Sequence, residues 1–387
     1  MIGLCIKYFH ENYGGMLQAY ATTQVLEEKN IPYELIRYEK KKSLLIVIKS
    51  LPRLLNRVLL NDKYEAFQKK LCLKKHPDFA KNDVLRMMAF IRFRDLHFTR
   101  LSSVYKGYSE LCSSATFYDA VITGSDQLWS PAGLTTNFYN LQFVPDHIRK
   151  ISYASSFGVK NIPWYQKKRT ADFLKRIEFI SMRENRGSEI VKELTGRDVP
   201  VVLDPVFMFD AKQWSRMIPV KIKYQKPYIF AYFLGKNQEH RRAVNELSLG
   251  TGYEIVTLRH LDQYIQEDET FGDYAPYDVE PSDFLNFIRG AEYVCTDSFH
   301  GSVFSIILKK QFIIFNRYIE QSKHSKNSRI DTLCKNLGLQ DRRYKGQTVA
   351  QMKRPIDYQK VEDKLLRLKK ETEKYFNNAF ANLYTRG

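Results

Sequence analysis

The chain has 387 residues, enough for two domains of ordinary size, and 44% of them are hydrophobic, enough for genuine cores. With 25 Tyr and 25 Phe it is far too aromatic for a disordered polypeptide. Its formal charge of +18 attracts polyanions but carries no information about fold.

The first element, an apolar run over residues 2–8, enters a polar loop at once, so it reads as a strand and not as a signal peptide. Asn12-Tyr-Gly-Gly-Met-Leu-Gln18 follows, leading into a helix expected over 16–29. Its two glycines let backbone approach a ligand closely, and the helix N-terminus behind them presents free N–H groups to an anion. The spacing is not GxGxxG, so a dinucleotide fingerprint is absent, and a tight turn with no ligand fits equally.

A strand over 33–38 comes next, and then the charge concentrates. Between Arg37 and Glu110 there are 18 Lys or Arg against 7 Asp or Glu. Within it, residues 40–60 alternate Lys and Arg with apolar residues, and Lys49, Arg53 and Arg57 recur every four positions. That pattern suits a helix lying at an anionic membrane surface, or a helix packed on the first domain. We place a basic helical insertion at about 40–110.

Strands are expected over 120–123, 151–154, 179–182 and 201–203, with helices over 164–176 and 188–194. The second half adds strands over 228–233, 253–258, 293–296 and 312–316, and helices over 239–249, 282–290 and 301–309. Apolar runs of strand length alternating with amphipathic segments predict an α/β protein with parallel sheets. Many of these strands run straight into a small or polar turn. Ligands of open parallel sheets bind outside the carboxyl ends of the strands, so such turns mark a cleft. The predicted division is an N-terminal Rossmann-like domain over 1–210, a C-terminal one over 211–350, and a final helix over 351–387 that packs back on the first domain.

Three turns carry the chemistry. Gly124-Ser125-Asp126-Gln127 ends a strand with side chains able to grip sugar hydroxyls, although Asp126 also suits a helix cap. Arg183, in Ser181-Met-Arg-Glu184, can bind a carboxylate or phosphate bidentately, or pair with Glu184 or Asp204. Asp297-Ser298-Phe-His300-Gly301 puts a histidine at a βα turn beside a helix N-terminus. It can exchange protons near neutral pH there, or simply cap the turn. The cysteines at 5, 72, 112, 295 and 334 form no CxxC, so neither a disulfide framework nor a zinc ribbon fits and a reducing, cytoplasmic setting is expected. No metal cluster is evident, no cofactor is required, and no nucleic-acid-binding motif accompanies the positive charge.

In this order, NYGGxLQAYA, GSDQxW, SYASSFG, SxRE, DPVF and DSFHG resemble the polysaccharide pyruvyl transferases, with the motifs spread over residues 12–301. The resemblance implies a GT-B-like pair of Rossmann-like domains facing across a cleft. It implies phosphoenolpyruvate as donor and a sugar hydroxyl pair as acceptor, on a bacterial polysaccharide or its lipid-linked precursor. The product is a pyruvate ketal. The resemblance also places an arginine and a histidine at the donor, here Arg183 and His300; we expect His300 to be the catalytic acid–base, with Ser298, Gly301 and Ser302 also donor-binding. Asn12, Tyr13, Gly14, Gly15, Ser125, Asp126, Gln127 and Asp204 line the acceptor side or the cleft. A lipid-linked acceptor would bring the protein to the inner face of the cytoplasmic membrane through residues 40–60. The chain departs from the family at Ser298, where characterised members often carry arginine; Lys309, Lys310, Arg317 and Arg329 are the candidates to replace that charge. Within the same architecture, a glycosyltransferase using a nucleotide sugar is the alternative, and a non-catalytic sugar- or phosphate-binding protein is a third reading.

Overall fold

In the computed structural model of the chain, the structure describes residues 1–41, 57–131, 137–262, 264–317, 328–381 and 383. Six short runs, most of them rich in apolar residues, form the first sheet. They are β1 (Ile2–Cys5), β2 (Tyr33–Glu39), β3 (Leu101–Lys106), β4 (Ala120–Gly124), β5 (Arg149–Ser155) and β6 (Phe179–Met182), in the order β3-β2-β1-β4-β5-β6. Every neighbouring pair is parallel, with Ile2 opposite both Tyr33 and Ala120. The four strands of the second sheet are β7 (Tyr228–Tyr232), β8 (Glu254–Thr257), β9 (Tyr293–Thr296) and β10 (Gln311–Ile314), in the order β10-β9-β7-β8, again parallel throughout. Parallel sheets are covered on both faces, which is why most of these strands read as nearly continuous apolar runs. The α/β architecture with two Rossmann-like sheets is therefore the one expected from the sequence.

In each sheet the chain reverses its direction of growth once, between β1 and β4 in the first and between β7 and β9 in the second. A crevice opens outside the carboxyl ends of strands at such a switch point. The helices between the sheets fix how the two crevices meet. Helix α1 (Tyr13–Glu28) is capped by Asn12, whose side chain accepts from the Gly15 amide at 2.8 Å. It is buried along most of its length and packs on helices of the second domain. The Tyr13 ring stacks on Phe284 with centroids 5.0 Å apart, and its hydroxyl donates to the Val279 carbonyl at 3.2 Å. One continuous core consequently runs from Ile2 through Trp214 and Phe284 to Phe376.

The basic insertion is a helical pair, α2 (Arg57–Lys75) and α3 (Pro77–His97). It ends before residue 101, earlier than expected, because Leu101–Lys106 pairs with β2 as an edge strand. Helix α3 reaches the second domain, where Arg86 Nε donates to the Tyr277 carbonyl at 2.8 Å and Arg92 meets Glu280 at 2.8 Å. Residues 42–56, including Lys49 and Arg53 of the basic stripe, lie outside the described residues. No described helix is long and apolar enough to cross a membrane.

Residues 201–203 form no strand. Val202 donates to the Met182 carbonyl, but the next amide, that of Leu203, goes to Thr372 Oγ1 at 3.0 Å, so the ladder stops at one bridge. Thr372 belongs to the last helix. The smaller helices come before it in the chain: α4 (Tyr108–Ser114), α5 (Lys167–Arg176), α6 (Asn185–Thr195), α7 (Ala211–Met217), α8 (Gln238–Thr251), α9 (Pro281–Gly290), α10 (Phe299–Ile307), α11 (Ser328–Leu337) and α12 (Val349–Met352). The last helix, α13 (Tyr358–Phe380), returns to the first domain. Tyr375 donates to the Ser152 carbonyl at 2.7 Å, and Phe376 packs edge-on against Tyr153 at 4.4 Å.

Candidate active site

The carboxyl ends of β4, β6 and β9 converge on one buried cluster. Asp204, in the loop after β6 and α6, stands at its centre. Its Oδ2 accepts from Arg183 Nη1 at 2.6 Å and from Ser125 Oγ at 3.0 Å, and lies 3.5 Å from His300 Nε2. Its Oδ1 accepts from the Val206 amide at 3.2 Å, which fixes the carboxylate in place. Arg183 comes from the end of β6, Ser125 from the end of β4 and His300 from the first turn of α10 after β9. The two domains thus contribute to one charge network.

Burial alone would push the Asp204 carboxyl up, yet His300 and Arg183 beside it hold it well below the usual carboxylate range. Asp126 behaves alike. Burial raises it, and Arg183, Arg329, His300 and Lys7 together bring it to about 2. Its Oδ1 is 3.6 Å from Arg183 Nη2 and 4.0 Å from Arg329 Nη1. Both guanidinium groups also lie against the Phe299 ring, at 4.8 Å and 5.4 Å from its centroid. Burial lowers the Arg183 guanidinium, but Asp204, Asp126 and Glu184 more than offset it, and the group stays charged. Glu184 is pushed up by burial and accepts from Ser156 Oγ at 2.9 Å.

Several polar atoms here are buried without a hydrogen-bond partner: Arg183 Nε and Nη2, His300 Nε2, Gln127 Nε2 and Glu184 Oε2. Buried polar groups in folded proteins are nearly always satisfied, so this cluster at facing strand ends has polar atoms to offer a water or a ligand.

The predicted site residues divide into two groups. Ser125, Asp126, Gln127, Arg183, Asp204 and His300 gather around the cluster, and Gly14 touches it. Asn12 is an exposed helix cap at the start of α1, whereas Tyr13 is buried in the interdomain core and does not face the cleft as expected. Ser298 caps α10 by accepting from the Gly301 amide at 3.3 Å, while the Ser302 amide donates to the Ser298 carbonyl at 3.0 Å. Those two amides were expected to cradle an anion; the cap consumes them. Asp297 accepts from the Leu234 and Gly235 amides at 2.7 and 2.8 Å, and so ties down the turn after β7. Of the cations considered as replacements at Ser298, Lys309 pairs with Glu362 at 2.5 Å, and Arg329 is the one placed beside Asp126. Phe299, Glu184 and Lys7 also belong to the cluster, although the sequence singled out none of them as a site residue. Glu184 and Phe299 adjoin singled-out residues, whereas nothing in the sequence marks Lys7. Among the described residues no group of three or more His, Cys, Asp or Glu could hold a metal ion.

Gly14 explains the glycine pair. A Cβ built there would stand 2.3 Å from His300 Nδ1 and 2.4 Å from its Cβ and Cγ, so the imidazole reaches the first domain only over a bare backbone. At Gly15 a Cβ would meet nothing closer than Asn12 Oδ1 at 3.4 Å. Gly14→Ala must displace the ring, and a displacement of about 1 Å can cost about 10²-fold in rate. Turnover of Gly14→Ala is expected to fall by that order while Gly15→Ala retains activity. Equal activity of the two variants would refute the contact.

The profile of the family described as polysaccharide pyruvyl transferase matches residues 12–317. A search of curated proteins finds no match. Among solved structures, the UDP-GlcNAc 2-epimerase of Neisseria meningitidis, bound to UDP-GlcNAc, is similar at a TM-score of 0.46 and 11% identity, covering 98% of this chain and 94% of that one. The UDP-GlcNAc 2-epimerase of Methanocaldococcus jannaschii matches at 0.46 and 9%, covering 86% and 90%. The glycosyltransferase SnogD of Streptomyces nogalater matches at 0.42 and 9%, covering 97% and 95%. The match of the family profile spans all three strand-end motifs that build the cluster, and the chain belongs to the polysaccharide pyruvyl transferase family.

Proposed function

We propose that the protein transfers the pyruvyl group of phosphoenolpyruvate to two hydroxyls of a sugar in a bacterial polysaccharide or its lipid-linked precursor, forming a pyruvate ketal. The observation that carries this reading is the buried Arg183–Asp204–His300 cluster with its unpartnered Arg183 Nε and Nη2 and His300 Nε2. Those donors suit an anionic substrate that must also be protonated.

In this scheme Arg183 holds the anionic donor through Nε and Nη2, which have no hydrogen-bond partner, with Arg329 adding charge beside the Phe299 ring. His300 delivers a proton to the methylene carbon, which becomes the methyl group of the ketal, and positive charge develops at the neighbouring carbon. Asp204, 3.5 Å from His300 Nε2, keeps the ring oriented. One sugar hydroxyl attacks the electron-poor carbon and its bond to the phosphate oxygen breaks. The second hydroxyl completes the ketal. Two carbon–oxygen bonds form and one breaks. Of the two hydroxyl protons released, one reloads His300 and the other leaves with the phosphate. Asp126 and Gln127, at the partly open edge of the cluster, orient the hydroxyls.

The test is thermal stabilisation by ligands. Phosphoenolpyruvate at 100 times its dissociation constant is expected to stabilise the native state by about 2.7 kcal/mol. Nucleotide sugars and inorganic pyrophosphate should shift the melting temperature little. A shift with nucleotide sugars alone would replace this reading by a glycosyltransferase.

A further inference from the structure

The His300 ring is held between two domains. Gly14, in the first turn of α1, lies against it from the first domain, and α10 carries it from the second. A side chain that ties α1 to the second domain therefore sets how closely the imidazole meets that bare backbone. Arg86 is such a side chain.

Arg86 belongs to α3 of the basic insertion and is 5% exposed. Each of its three nitrogens donates to a main-chain carbonyl of the second domain. Nε reaches Tyr277 at 2.8 Å, Nη2 reaches Pro276 at 3.3 Å and Nη1 reaches Arg259 at 3.4 Å. The planar fork of a guanidinium can serve three diverging acceptors, which the point charge of an ammonium does not.

The same guanidinium stands 5.2 Å from the centre of the Tyr13 ring, within the range of a cation–π contact. Tyr13 is the residue before Gly14, and Phe90 of α3 packs on its ring at 4.8 Å. On the other side, the carbonyls of Pro276 and Tyr277 precede α9, which packs on both α1 and α10. Arg86 thus grips the chain beside Gly14 and the chain that leads to the support of His300. Arg92 offers a contrast on the same helix. It bonds to Asp278 and Glu280 of the same segment, but its side chain is 47% exposed and its partners are two carboxylates at the surface.

We infer that Arg86 is a positioning residue: it binds Tyr13 and the segment before α9 together, and so seats the His300 ring against Gly14. Its value to proton transfer rests on the function proposed above, whereas the seating does not, and the two fail separately in one experiment. Wild type, Arg86→Met, Arg86→Lys, Arg92→Ala and Gly14→Ala are labelled with ¹⁵N-histidine. The imidazole signal of His300, one of eight histidines, is identified by its loss in His300→Ala. Melting with and without phosphoenolpyruvate is measured in parallel.

The His300 signal is expected to move in Gly14→Ala, where the ring is displaced, and to move also in both Arg86 variants. Arg86→Lys keeps the charge but cannot hold three carbonyls, so a shift shared with Arg86→Met reports geometry. Arg92→Ala is expected to leave the signal in place. An unmoved signal in the Arg86 variants, with only a lower melting temperature, would make Arg86 a structural bond and overturn the inference. A shift in Arg86→Met that Arg86→Lys lacks would report lost charge alone, and an equal shift in Arg92→Ala would report general loosening; either overturns it. Should Arg86→Met fail to fold, the signal of Arg86→Lys decides. The expected pattern of signals in a wild type that phosphoenolpyruvate does not stabilise would keep the role of Arg86 and sink the donor.

Discussion

His300→Ala is expected to lower turnover by about 10²–10⁴-fold, the range lost when a positioned acid–base is removed. Binding of phosphoenolpyruvate should survive, because Arg183 and its partners do not depend on the imidazole for position. Arg183 is held by Asp204 at 2.6 Å and by Ser125 at 3.2 Å, both from the first domain. The variant should therefore show near wild-type stabilisation by the donor together with very slow phosphate release in the presence of a glycan acceptor. Near wild-type phosphate release would remove His300 from the mechanism. Loss of donor stabilisation along with turnover would make it a donor ligand and leave the proton source elsewhere.

The part of this site that the sequence made legible is the part written in strand ends. Phe179–Met182 and Tyr293–Thr296 are strands over the residues expected, since a four-residue apolar run closed by a polar turn has few other uses in an α/β chain. Arg183 and the Asp297–Gly301 turn were placed from those boundaries. The edge strand β3 went unseen because Leu101-Ser-Ser-Val-Tyr-Lys106 is half polar and is covered less than its neighbours. The first helix starts three residues before the expected position for a different reason. The glycines at 14 and 15 look like a turn, whereas Asn12 caps the helix before them and puts both in its first turn.

What the sequence left hidden is long-range. It displayed a glycine pair but not the imidazole, 286 positions further on, that needs one of them bare. It offered four cations as substitutes for the charge missing at Ser298; in the structure Lys309 pairs with Glu362, Arg317 acts on Asp297 and Arg329 lies 4.0 Å from Asp126. It suggested Arg183 either as a ligand-binding group or as the partner of Asp204. The structure shows the pairing, and it also leaves two donor atoms of the same guanidinium without a hydrogen-bond partner. The ion pair observed and the donor binding proposed therefore call on different atoms of one guanidinium.

That double role sets the largest stability effect expected in the molecule. The side chains of Arg183 and Asp204 are 1% and 0% exposed, and removing one member of such a pair strands the other charge in a medium that cannot solvate it. Asp204→Ala is expected to lower the unfolding free energy by about 3–5 kcal/mol, read as a shift of the urea midpoint. Its acid limb should change too. The carboxyls of Asp204 and Asp126 are both depressed in the folded protein, so their contribution is complete above the unfolded value of about 4 and is lost as pH falls toward their folded values, which for Asp126 is about 2. The wild type should lose stability steadily below about pH 4, and Asp204→Ala should lose less over the same interval because one of the two carboxyls is gone. An unchanged urea midpoint at neutral pH would show that Arg183 finds its compensation in Asp126 and Glu184 alone. Asp204 would then be dispensable to the fold, and its position beside His300 would have to be explained by catalysis.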